Sequence, residues 1–196
     1  MIKNKAKSTD KLTATVVSGS IAQEKMRGGG VFHFQCFDKD GNLKWEDKAH
    51  NLVVNEGLQD MNTKYFKGVT YSAAWYLGLI TGPAASTTIS AGDTLASHGA
   101  TGAGGWTEDT NYSGNRKAVT FGTATTADPS VISNTASPSQ FAINGTTTIA
   151  GAFLASVDTG TSGILFSASD FQAPGDRSVV SGDTISVTYQ FSLDAA

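Results

Sequence analysis

One cysteine, few prolines, little charge and no long apolar run set the first limits on this chain. The single cysteine, Cys36, excludes an internal disulfide framework and any multi-cysteine metal site. Charged residues are 16% of the 196, well below the soluble-protein norm of about 25%, so the polar surface must come from Thr, Ser, Asn and Gly. With 4 Pro against 22 Gly, tight turns are expected rather than stiff spacers. No apolar run approaches the roughly 18 residues of a membrane span. The opening MIKNKAK runs into Ser, Thr and Asp without an apolar stretch, which predicts synthesis in the cytoplasm without a secretory signal. His33, His50 and His98 are far apart and outside metal-ligand spacing, so neither metal nor cofactor is expected.

What is present is unevenly distributed. Residues 1–30 carry six cations, Lys3, Lys5, Lys7, Lys11, Lys25 and Arg27, against Asp10 and Glu24, a net of +4. From residue 68 onward three cations, Arg116, Lys117 and Arg177, face nine acids, a net of −6. A basic start on an acidic body predicts an extended arm that docks on an acidic surface. Gly28-Gly29-Gly30 reads as its flexible joint, and Leu12–Val17 has the β propensity to add as an edge strand to a neighbour. No aromatic stacking platform accompanies the cations, so the arm is expected to meet protein and not nucleic acid.

Beyond the joint, residues 31–196 are expected to form one domain. Val31–Phe37 and Leu43–Lys48 flank an Asp-Gly turn and predict a hairpin, with Cys36 buried beside Phe32 and Phe34. Leu52–Val54 reads as a short strand. Asn55 is a good N-cap for a helix over about 56–66, with Gly68 as its stop and Leu58, Met61 and Tyr65 as the stripe facing the core. Ala73–Ile80 reads as a buried central strand, and further strands are expected near 118–122, 139–144, 148–157, 163–167 and 184–193. In the last of these, Ile185, Val187, Tyr189 and Phe191 alternate with polar residues. The fold class is mainly β: an antiparallel β-sandwich, jelly-roll-like, with one short helix and a long loop region at about 81–117. Ala91-Gly92-Asp93-Thr94-Leu95 and Ser181-Gly182-Asp183-Thr184-Ile185 repeat one turn chemistry.

Candidate chemistry is sparse. Asp38-Lys-Asp-Gly-Asn has its glycine fourth and Ala49 at the twelfth position, so it reads as a hairpin turn and not as a calcium loop. Asp93, Glu108 and Asp109 supply carboxylates to the long loop, without the further signature a glycosidase needs. No G-x-S-x-G turn and no phosphate-binding glycine spacing occurs. The chain is therefore read as a non-enzyme. Trp106, Glu108, Tyr112 and Arg116 in the loop are the candidate contact residues, Trp106 as an interface anchor. The aromatics there also suit a sugar ring, which leaves a glycan-binding alternative open.

Lys44-Trp45-Glu46, His50-Asn51-Leu52-Val53-Val54-Asn55-Glu56-Gly57-Leu58, Trp75-Tyr76-Leu77-Gly78-Leu79-Ile80 and Gly92–His98 stand together with Gly105–Glu108, Gly151–Leu154 and Ser181–Thr184. In combination they resemble a family of structural proteins of tailed bacteriophages, over roughly residues 41–193. The resemblance implies membership of a virion and brings no catalytic residues with it. It leads to the expectation of a capsid decoration (cement) protein on the outside of the head, stabilising contacts between major capsid subunits. A homotrimer would suit the local three-fold positions of an icosahedral shell. A tail or head fibre or adaptor component, binding a receptor or glycan, is the alternative.

Overall fold

The computed structural model describes residues 26–71, 74–82, 88–98, 106–172 and 175–195. The chain is mainly β, two antiparallel sheets packed face to face as a β-sandwich, with two helices among the described residues. The first sheet is built around its two longest strands, β1 (Met26–Phe37) and β12 (Thr184–Ala195), paired in register from Met26↔Ala195 to Phe37↔Thr184. β2 (Leu43–His50) returns along β1 through the turn at Asp38, whose carboxylate accepts from the amides of Asp40 and Asn42. On the far side of β12, β8 (Ser139–Ala142) pairs residues 184–187 and β7 (Ser130–Ser133) pairs residues 190–193. The break between them is closed by buried Asn134. Its Oδ1 accepts from the Tyr189 amide at 2.7 Å, and its own amide donates to the Tyr189 carbonyl at 3.2 Å.

The second sheet centres on β9 (Thr147–Ala155). It is flanked by β10 (Leu165–Asp170) and by β4 (Tyr76–Thr81), while β11 (Arg177–Val179) pairs its first residues. β3 (Leu52–Val53) extends the sheet beyond β10. The short β5 (Thr107–Glu108) and β6 (Lys117–Ala118) lie beyond β4. Phe32, Phe34, Phe141, Ile185, Val187 and Tyr189 of the first sheet meet Leu77, Leu79, Ala152, Leu154 and Phe166 of the second, and form the main core. A second cluster of Ile80, Phe153, Leu165 and Ala168 with Val54, Leu95 and Trp106 lies on the opposite face of the second sheet. Both faces of that sheet are therefore dry, and β9 is buried continuously from Ile149 to Ala155. The outer face of the first sheet is wet and polar, as a one-sided antiparallel sheet allows. There Glu46 accepts from His33 and Gln35, bonds that hold its carboxyl below the usual range.

The hairpin, the buried Cys36 and the alternation of the last strand stand as expected. Burial pushes the Cys36 thiol up to about 11. The repeated turn is also real. Asp93 and Asp183 each accept from the amide three residues earlier, Ser90 and Val180, at 2.9 Å, and each returns its own amide to that residue's carbonyl. The Leu95 and Ile185 that come two residues later are both buried.

Several expectations are corrected. Residues 26–30 lie within β1, so Gly28-Gly29-Gly30 is sheet and not a joint, and Arg27 stands opposite Asp194. Two of the glycines allow close approach: a Cβ at Gly30 would collide with Tyr189, and one at Gly28 would crowd Phe191 and Leu193, whereas one at Gly29 would meet nothing within 4 Å. β9, not the strand at 73–80, is central, because β5 and β6 are the only neighbours of β4 on its outer side among the described residues. The expected strand near 118–122 shrinks to β6, and the sequence pattern does not announce β7, β11 or the one-turn helix α2 (Leu95–His98). The described parts of 81–117 carry α2, β5, β6 and the cover of the second sheet, so this region is not a plain loop.

The helix α1 (Asn55–Lys67) exists and stops at Gly68, which takes a left-handed φ of 64°. Its N-cap position is Val54, and no side chain caps it; Asn55 is already helical. Glu56 instead accepts the Leu165 amide at 2.9 Å and ties the helix to β10. The core-facing stripe is also different. Gly57 and Asp60 are buried and Met61 packs on the core, whereas Leu58 is 49% and Tyr65 83% exposed. The physical reason is the depth of contact: the helix backbone rests on the Phe166 carbonyl through Gly57, where a Cβ would collide. That approach rotates Leu58 and Tyr65 away.

Candidate functional site

Trp106, Glu108, Tyr112 and Arg116 are brought together, but inside the protein. β5 places Glu108 opposite Ile80, and its carboxylate accepts from Arg116 Nε at 2.8 Å and Nη2 at 2.6 Å. Arg116, 5% exposed, also donates to the carbonyls of Val157 and Gly160 and lies over the Phe153 ring. Trp106, 3% exposed, packs on the same ring and donates its indole N–H to Asp93 at 3.0 Å. Tyr112 stands edge-on to Phe141 and donates to Glu108 at 3.3 Å; burial, then the Glu108 charge, raises its phenol above the usual range. This cluster is a clamp that fixes the 106–117 segment to the second sheet. It corrects the expectation of a contact surface, because a buried indole has no face to offer a sugar ring or a neighbouring subunit. The carboxylates are likewise committed: Asp93 to Trp106 and the Ser90 amide, Asp109 to Thr147 and the Asn111 amide. Lys3, Lys5, Lys7, Lys11 and Lys25 lie outside the described residues.

The surface that does face outward is apolar and sits at α1. β1 and β12 run on beyond the part of the sandwich closed by Phe32 and Tyr189, so the inner face of the first sheet continues as Met26, Phe191 and Leu193. α1 stands opposite, and between them opens a cavity of about 710 Å³, lined also by Met61, Phe121 and Ile132. At its rim Tyr65 is 83%, Phe66 76% and Met26 72% exposed, with Leu58, Val69 and Tyr71 exposed nearby in the chain. Large exposed apolar patches are uncommon on folded monomers and are the surface that interaction sites and ligand grooves present. The sequence reading missed it, although one signal was available. Tyr65 and Phe66 put two aromatic rings in the last turn of the helix, and Phe66 falls outside the Leu58, Met61 and Tyr65 stripe that the period assigns to the core.

No family model, curated protein or solved structure matches this chain.

Proposed function

We propose that this chain is a structural protein of a tailed-phage particle. It acts as a capsid decoration (cement) protein that sits on the outer surface of the head and stabilises contacts between major capsid subunits. The observation that carries a docking role is the exposed apolar ridge of Leu58, Tyr65, Phe66 and Val69 along and just beyond α1. The polar side chains of the 106–117 clamp are spent on internal pairs, while among the described residues nothing covers this ridge. The combination of sequence phrases that resembles tailed-phage structural proteins is what favours a phage particle. Many copies bound through modest patches hold a shell together by multivalency, without any one strong contact.

The test adds purified protein to undecorated heads and measures their resistance to heat and osmotic shock. Decorated heads survive conditions that break bare ones, and the Tyr65→Ser/Phe66→Ser double variant, folded by circular dichroism, protects less. Equal fragility with and without the protein would overturn the cement role. Copy number per virion gives an independent check: hundreds fit cement, and a handful fit the fibre or adaptor alternative.

A further inference from the structure

The groove behind the α1 ridge coincides with an unfinished strand edge. Gly30 donates its amide to Asn51 Oδ1 at 2.6 Å and accepts the Asn51 amide at its carbonyl, so both its backbone groups face the β2 side. Strand alternation turns the N–H and C=O of Gly28 the same way, while the Gly29 carbonyl faces β12 and accepts from Ser192. At Asn51 the chain leaves the first sheet: β2 ends at His50, and the next strand, β3, pairs with β10 in the second. Among the described residues, Met26 to Gly29 therefore have β12 on one side and no strand on the other. An unpaired edge beside an open apolar groove is a seat for an added strand.

The chain outside the described region begins at this point. Met26 lines the groove, and the 25 residues before it contain one stretch with strand character, Leu12-Thr13-Ala14-Thr15-Val16-Val17. Leu12, Ala14 and Val16 fall on one side of a strand, with the two threonines on the other. Ser18-Gly19-Ser20 comes next and supplies turn residues. Residues 18–25 reach about 25–30 Å when extended, more than a reversal onto the adjacent edge needs. Closing so short a loop costs little entropy, which favours the chain's own segment over one from another molecule.

We propose that Leu12–Val17 of the same chain adds as a strand along Met26–Gly29 and turns Leu12, Ala14 and Val16 into the groove beside α1. Lys3, Lys5, Lys7 and Lys11 then leave the body from a fixed point next to the apolar ridge, rather than from a free tail. This seat goes beyond the cement reading and does not depend on it.

The experiment is hydrogen exchange on the isolated full chain at low concentration, with no capsid present, so its outcome is independent of any role on a particle. The amides of Leu12–Val17 and of Gly28 exchange at least about 10-fold more slowly than in an unstructured peptide. In the Leu12→Asp/Val16→Asp variant both sets lose that protection together and binding of an apolar dye rises. The substitutions touch none of the described core residues, and far-ultraviolet circular dichroism confirms that the variant is folded. Exchange of Leu12–Val17 at the unstructured rate overturns the proposal. So does protection of Leu12–Val17 without Gly28, which would mean local structure away from the edge. Protection that appears only as concentration rises overturns it too, because the occupant is then a second copy.

Discussion

Arg116 is the side chain on which the 106–117 segment turns. Its guanidinium meets both oxygens of Glu108 and two carbonyls from 157–160, all within a nearly dry site. Removing one member of such a pair leaves the other charge buried alone, which costs about 3–5 kcal/mol, whereas replacing both by apolar groups of similar volume is often neutral. Arg116→Met is therefore expected to lower stability by about that amount in urea denaturation, and Glu108→Leu/Arg116→Met to recover most of it. Asp170 is destabilising in another way. Burial, and then the charge of Asp176, raise its carboxyl to about 6, and among the described residues its Oδ1 has no hydrogen-bond partner. The folded state thus holds this proton more tightly than the unfolded chain does. The favourable contribution is fully present below the unfolded value near 4 and is lost as pH rises through about 6. Asp170→Asn is expected to raise the melting temperature near pH 7 and to leave it unchanged near pH 4; an equal gain at both would point to packing instead of ionisation.

At the scale of elements, α1 shows how a correct assignment coexists with a wrong face. The 3.6-residue period and the glycine stop are local properties and locate the helix. Which stripe turns inward is set by the sheet beneath, and here the Phe166 carbonyl admits only Gly57. Gly57→Ala should cost about 1–3 kcal/mol by overpacking, although alanine is the better helix former. Leu58→Ala, on the exposed side, should stay within about 0.5 kcal/mol. Thermal melts of the two variants in parallel check the orientation, and the reverse ranking would place Leu58 in the core. The repeated Gly-Asp-Thr turn makes a complementary point. Both copies close the same local hydrogen bonds, yet one feeds the short helix α2 and the other the long strand β12. Local chemistry fixes the turn, and the surroundings choose between helix and strand after it.

In the whole molecule, the first and last described strands lie side by side along their full length, so the sandwich closes only when its ends meet. The second sheet is buried on both faces because α2, Trp106 and the 106–117 clamp cover the side away from the first sheet. The first sheet leaves one face to water and one end open against α1. The sequence by itself determined the mainly β class, the hairpin at Asp38, the helix and its stop, the buried Cys36 and the inward set of the last strand. These rest on period, turn chemistry and composition, which act over a few neighbouring residues. Tertiary structure alone decided that Gly28-Gly29-Gly30 is sheet, because the reason is the pairing with β12, whose Tyr189, Phe191 and Leu193 side chains crowd Gly30 and Gly28. It also decided that Trp106, Tyr112 and Arg116 are internal, since a second apolar face on one sheet appears only once β9 is flanked by β4 and β10. The apolar groove has the same origin: it belongs to the mismatch in length between two sheets, which neither sheet's sequence carries alone.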